Sequence, residues 1–131
     1  MDGNGVRILV ADVCDEPRRL LTQLLAMHNY NVHVADDGAE VLREMSTRRY
    51  DVIIMNDSLP GLTSPEFVAL SKIKWPDSAI VVMSHPMSEL AALALQQGAY
   101  ARLCKPCDIM ELLQTVRAAA KQRSRSSQET H

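Results

Sequence analysis

The chain has 131 residues, a size that fits one domain with a core of its own. Apolar residues make up 47% and charged residues 23%, a composition that excludes a disordered or fibrous protein. A net charge of −2 does not favour nucleic acid as a partner, and three cysteines do not fit a secreted disulfide framework. No apolar run reaches the roughly 20 residues of a membrane span, and the N-terminus has no signal-peptide shape. We therefore expect a cytoplasmic protein in a reducing compartment with no membrane partner, able to enter the nucleus if its source is eukaryotic.

Short apolar runs alternate with amphipathic stretches along the chain. The runs that predict strands are Val6–Ala11, Asn31–Ala35, Val52–Met55, Ala79–Met83 and Tyr100–Cys104. A helical pattern follows each run, and helix-start residues mark several of them, namely Asp37 with Glu40, Ser64-Pro65-Glu66, and Asp108 with Glu111. Gly98 predicts the end of the fourth helix.

Five strands in strict alternation with five helices indicate a parallel sheet covered on both faces, because parallel strands need crossover connections. We expect residues 6–120 to form this domain. Residues 1–5 and 121–131 are predicted as flexible termini, since the C-terminal stretch carries no apolar residue. In folds of this class the functional crevice lies at the carboxyl ends of the strands.

Four polar residues follow the predicted strands, namely Asp12, Asn56, Ser84 and Lys105. A carboxylate, an amide, a hydroxyl and an ammonium group would therefore meet at one edge of the sheet. These residues alone leave two interpretations open: a small polar pocket with a function, or strand-end caps that satisfy backbone groups of the loops.

Short segments spread over residues 6–120 together resemble the receiver domain of two-component response regulators. They are residues 8–12, 17–21, 30–32, 37–42 and 50–56, Leu59-Pro60-Gly61, Gly98-Ala99 and Lys105-Pro106. The resemblance implies an α/β fold with a doubly wound, five-stranded parallel sheet of order 2-1-3-4-5, the flavodoxin-like receiver fold. It also implies an active pocket at the strand ends.

In that family, two acids after the first strand and an aspartate at the end of the third hold Mg²⁺. This aspartate accepts a phosphoryl group from a histidine kinase or a phosphotransfer protein. A Ser or Thr and a Lys contact the phosphoryl oxygens, and an aromatic residue on the fifth strand reports the change to a partner surface. The resemblance gives Asp12, Ser84 and Lys105 the roles of first acid, hydroxyl and lysine.

Three positions depart from the family pattern: Val13 stands for the second acid, Asn56 for the phospho-acceptor and Arg102 for the switch aromatic. An amide oxygen is a much poorer nucleophile than a carboxylate, so we expect no enzymatic or phospho-accepting activity. Asp12 as the one remaining acid predicts weak or absent Mg²⁺ binding, with no other cofactor. We expect Arg102 to be a solvated surface residue, or alternatively part of a fixed docking face with the fourth and fifth helices.

The predicted protein is a single-domain pseudo-receiver that acts by protein–protein interaction in a bacterial or plant hormone phosphorelay. Its partners would be a histidine kinase, a phosphotransfer protein or another response regulator. One alternative is a receiver that accepts phosphate through Asp57, although the alternation of strand residues predicts that Asp57 faces away from the pocket. Another is a thiol-redox module using Cys104 and Cys107, whose C-x-x-C spacing has no second motif to complete a metal set.

Overall fold

The computed structural model describes residues 5–129, with side chains described as far as residue 122. Five parallel strands form one sheet: β1 Arg7–Ala11, β2 Asn31–Ala35, β3 Val52–Asn56, β4 Ala79–Ser84 and β5 Ala101–Cys104. Counting only these strands, the order across the sheet is β2-β1-β3-β4-β5. The predicted doubly wound order is confirmed. The predicted flexible residues 1–4 and 130–131 lie outside the described part of the chain.

Five helices connect and flank the strands: α1 Asp15–Met27, α2 Gly38–Thr47, α3 Ser64–Lys74, α4 Glu89–Gln97 and α5 Ile109–Glu129. Local signals fix several of their ends. The Asp37 side chain accepts a hydrogen bond from the backbone N–H of Glu40 at 2.8 Å, as the sequence predicted for the start of α2. Gly98 ends α4 with a φ of 115°, a left-handed conformation that glycine adopts without strain.

Alternating residues of the strands bury their side chains in two separate cores. Leu9, Ile53 and Val82 pack on the side covered by α2, α3 and α4. Ile8, Val10, Val52, Ile54 and Val81 pack on the other side, where α1 and α5 supply residues such as Leu25 and Val116. Because both faces are covered, the central strands read as continuous apolar runs in the sequence.

The structure adds a short antiparallel hairpin between β3 and α3 that the sequence patterns did not predict. Its two strands are Ser58–Leu59 and Leu62–Thr63. The backbone N–H of Gly38 donates to the Pro60 carbonyl at 2.8 Å, and a Cβ on Gly38 would lie 2.5 Å from the Leu62 Cβ. A glycine is therefore required where α2 starts against this hairpin.

The last helix is longer than the sequence predicted. It continues to Glu129, so residues 121–129 are helical where we expected the fold to end near residue 120. The stretch from Ile109 to Glu129 contains neither Gly nor Pro, and without such a residue a helix has no local signal to stop. In the described part of the chain, no helix is long and apolar enough to cross a membrane.

Candidate functional site

The four predicted strand-end residues lie at the carboxyl edge of the sheet. Asp12 follows β1, Asn56 is the last residue of β3, Ser84 is the last residue of β4, and Lys105 follows β5. The structure joins three of their side chains, those of Asp12, Asn56 and Lys105. Ser84 is connected through the backbone, because its carbonyl accepts from the Lys105 N–H at 2.8 Å.

Asp12 is the centre of this pocket. Its side chain is buried, with 7% of the residue exposed. Oδ1 accepts hydrogen bonds from the Asn56 amide nitrogen at 2.8 Å and from the Cys14 backbone N–H at 2.8 Å. Oδ2 lies 3.7 Å from the Lys105 ammonium group. A buried carboxylate needs partners of this kind, and here an amide, a backbone N–H and a lysine supply them.

The backbone around Asp12 is fixed as well. Its N–H donates to the Ala35 carbonyl of β2 at 3.1 Å. Its carbonyl accepts from the Arg18 guanidinium on α1 at 2.9 Å. The carboxylate is therefore held in position by strand pairing and by the first helix, independently of its own side-chain contacts.

Mg²⁺ is the ion that the resemblance implies for this edge, and the residues present fit it poorly. Mg²⁺ takes oxygen ligands in near-octahedral geometry, usually including more than one carboxylate when the protein supplies most of the site. Val13 offers an apolar side chain that is 51% exposed, and Asn56 uses its amide nitrogen to bind Asp12. Among the described residues no group of three His, Cys, Asp or Glu side chains is arranged to hold a metal.

Asp57 is the residue directly after β3, and its side chain has a different partner from that of Asn56. Its carboxylate accepts a hydrogen bond from the hydroxyl of Ser88, the residue that caps α4. Its backbone N–H donates to the Met83 carbonyl at 3.1 Å. Asp57 therefore belongs to the start of α4, whereas Asn56 belongs to the Asp12 pocket.

Arg102 occupies a different environment from the solvated surface that we expected. The residue is half-buried, and its Nη2 donates to the carbonyl of His85 at 3.0 Å and to the carbonyl of Pro86. The two loop carbonyls serve Nη2 only, and Nε is buried with no hydrogen-bond partner among the described residues. Arg102 is therefore partly buried rather than fully solvated. No sequence signal identified these partners, since they depend on how β5 lies beside the loop after β4.

Ser84 faces the same loop. It is 2% exposed, and its hydroxyl donates to the His85 carbonyl at 3.0 Å. The hydroxyl that the resemblance assigns to phosphoryl contact is therefore engaged with the next residue's backbone.

The three cysteines, Cys14, Cys104 and Cys107, are all free thiols. Burial raises the pKa of the Cys107 thiol, and the nearby acids Glu111 and Asp108 raise it further. Reactive thiols in redox motifs have lowered pKa values, because the thiolate is the nucleophile. Cys107 has the opposite character, which weakens the thiol-redox alternative.

Comparison with known proteins gives a consistent result. Residues 8–117 match the model of the response regulator receiver domain family. The DNA-binding transcriptional regulator NtrC of Rhizobium meliloti (strain 1021) is 30% identical over 125 residues, which cover 94% of this chain and 26% of that protein. The response regulator MprA of Mycobacterium sp. (strain KMS) is 32% identical over 121 residues, covering 91% of this chain and 52% of that protein.

A solved structure agrees with the curated relatives. The signal receiver domain of an HD domain-containing protein from Pseudomonas fluorescens Pf-5 superposes with a TM-score of 0.88 at 28% identity, covering 94% of this chain and 92% of that one. The chain thus spans 26% and 52% of the lengths of NtrC and MprA, but nearly all of this isolated receiver domain.

Proposed function

This chain belongs to the response regulator receiver domain family, and from that premise we propose that it is a pseudo-receiver. Receiver domains are regulatory modules of two-component signal transduction. In our proposal this one takes no phosphoryl group and acts by protein–protein interaction within a phosphorelay. The observation that carries the proposal is the hydrogen bond from the Asn56 amide to the Asp12 carboxylate, 2.8 Å long.

That hydrogen bond requires a donor at position 56, and the Asn56 amide supplies one. An ionised aspartate has no proton to donate, so a carboxylate there would repel Asp12 and would need a cation between the two. In this chain the Asn56 amide donates a hydrogen bond to Asp12 and the Lys105 ammonium group supplies the opposite charge, so no added ion is needed. We therefore propose that the pocket binds Mg²⁺ weakly or not at all.

The chemistry of phosphoryl transfer supports the same proposal. The acceptor must be a nucleophilic oxygen, and the Asn56 amide oxygen cannot form an acyl phosphate without loss of its nitrogen. The next carboxylate along the chain is that of Asp57, directly after β3, and it accepts a hydrogen bond from Ser88 at the start of α4. We therefore propose that neither residue accepts phosphate.

The proposed partners are those of the family: a histidine kinase, a phosphotransfer protein or another response regulator. With no covalent switch, the chain would bind them in one fixed conformation and compete with phosphorylated receivers. A net charge of −2 gives no reason to add nucleic acid to these partners.

The test uses a small phosphodonor and a binding measurement on the same sample. The chain is incubated with acetyl phosphate and Mg²⁺, and its intact mass is read at neutral pH, where an aspartyl phosphate survives. Calorimetry then gives its affinity for phosphotransfer domains encoded in the same genome, with and without the donor. We expect no phosphoryl adduct and equal affinities. An adduct on the unmodified chain, or an affinity that needs the donor, would overturn the proposal.

A further inference from the structure

The loop between β4 and α4, residues 85–88, is held from both sides by side chains that the Asp12 pocket does not use. We propose that Arg102 and Asp57 are positioning residues that fix this loop and the start of α4 in one conformation without any phosphoryl group. The inference rests on the proposed function, in which no phosphoryl group is available to order this loop.

The first side of this arrangement is centred on the His85 carbonyl oxygen. It accepts from the Ser84 hydroxyl at 3.0 Å, from the Ser88 backbone N–H at 3.1 Å and from Nη2 of Arg102 at 3.0 Å. Three donors on one carbonyl leave the peptide unit after His85 little freedom to rotate. The loop cannot change conformation without breaking most of these bonds at once.

Arg102 is suited to this task by its position and by its chemistry. On β5 it lies opposite Val82 of β4, two residues before β4 ends, so its side chain reaches the loop that follows. Its guanidinium donates to two successive carbonyls, those of His85 and Pro86. One nitrogen, Nη2, makes both contacts, and it lies one bond farther from the backbone than a lysine ammonium group would. A lysine is therefore too short to reach both carbonyls from this position, and an aromatic ring has no such donor.

The second side of the arrangement runs from β3 to the first turn of α4. The Asp57 carboxylate accepts from the Ser88 hydroxyl, and the same hydroxyl oxygen accepts from the Ala91 backbone N–H at 3.1 Å as the helix cap. The backbone of Asp57 is fixed in turn, since its carbonyl accepts from the Ser64 N–H at 2.8 Å. The start of α4 is thus tied to β3 and to the start of α3.

Between the two sides the loop carries Met87, which is 81% exposed. Its backbone N–H donates to Nδ1 of His85 at 3.2 Å, a further contact inside the loop. The contacts of Arg102 and Asp57 with this loop therefore place an exposed apolar side chain, that of Met87, beside α4. In our proposal the backbone on either side of Met87 is held by Asp57 and Arg102, neither of which contacts Asn56 through the bonds described here.

The experiment measures loop motion in the full chain by NMR, for wild type, Arg102→Leu, Arg102→Lys and Asp57→Ala. The readouts are amide hydrogen exchange at Ser88 and millisecond relaxation dispersion over residues 84–88. Arg49→Leu is the matched control, because Arg49 forms an exposed ion pair with Asp77 at 3.6 Å away from this loop. Core amides of β1 and β3 report whether each variant stays folded.

We expect the wild-type loop to show no millisecond exchange. Arg102→Leu and Asp57→Ala should each speed exchange at Ser88 by about tenfold, the effect of losing one hydrogen bond to a charged group. Arg102→Lys should resemble Arg102→Leu, and Arg49→Leu should resemble wild type. Exchange in the wild-type loop, or no change in Arg102→Leu with the core amides intact, would overturn the inference. Either result would leave the absence of a phosphoryl adduct untouched, so the two proposals fail separately.

Discussion

Replacing Asn56 by aspartate should turn the central hydrogen bond of the pocket into a repulsion. The Asn56 amide nitrogen lies 2.8 Å from Oδ1 of Asp12, so an introduced carboxylate oxygen would occupy nearly the same place. Two carboxylates with charge centres about 4 Å apart repel by about 4 kcal/mol at an effective dielectric near 20. Lys105, 3.7 Å from the other Asp12 oxygen, offsets part of this. We expect Asn56→Asp to lower the free energy of unfolding at pH 7 by about 2–4 kcal/mol.

The pH dependence of that loss distinguishes repulsion from a simple packing defect. The neighbouring Asp12 charge raises the pKa of the introduced carboxyl in the folded state above its unfolded value. The folded state then binds more protons than the unfolded state, so stability recovers as the pH falls towards about 4. Urea unfolding of wild type, Asn56→Asp and Asn56→Ala at several pH values measures this. Asn56→Ala loses the hydrogen bond but introduces no carboxyl group to be protonated.

The same variants are also tested for stabilisation by Mg²⁺ and for phosphorylation by acetyl phosphate. Mg²⁺ should restore part of the stability of Asn56→Asp and none of that of Asn56→Ala. Asn56→Asp alone should accept at most a trace of phosphate, because Val13 leaves the metal site one acid short. Val13→Asp with Asn56→Asp supplies three carboxylates with Asp12 and should accept phosphate from acetyl phosphate. An Asn56→Asp protein as stable as wild type at pH 7 without Mg²⁺ would refute the reasoning.

Three further changes test other contacts. Gly38→Ala should destabilise the fold by about 1–3 kcal/mol, seen as a lower Tm, because its Cβ would lie 2.5 Å from the Leu62 Cβ; an unchanged Tm would contradict the packing. Lys105→Met should cost at most about 1 kcal/mol in urea unfolding, since the lysine side chain is 40% exposed and 3.7 Å from Asp12; a loss as large as that of Asn56→Asp would be inconsistent with this. Burial raises the pKa of Tyr50, so stability should fall above about pH 10, where unfolded tyrosine ionises, and Tyr50→Phe should remove that slope.

Much of the fold could be predicted because its signals are local. The β3 run Val52–Asn56 is apolar throughout, as a strand covered on both faces must be, and Asp37 caps α2 through a residue only three positions away. The end of α5 could not be placed because no Gly or Pro marks it between Ile109 and Glu129.

In the site, too, some contacts could be predicted from the sequence and others could not. The contact between Asp12 and Asn56, 44 residues apart, followed from the rule that parallel strands end at one edge and from the family resemblance. The contacts of Arg102 with the loop at His85 and of Asp57 with Ser88 join residues 17 and 31 positions apart. No periodicity or motif encodes such pairs, because they arise only when the loop packs against its neighbours.

The hydrogen bond between Asn56 and Asp12 also has a consequence for timing. In a receiver that carries an acyl phosphate, hydrolysis of that bond limits how long the active state lasts. In our proposal Asn56 forms no acyl phosphate, so this pocket has no such bond to hydrolyse. In the proposed role, the duration of a response would instead follow how quickly each complex dissociates and how much of the protein the cell makes and degrades.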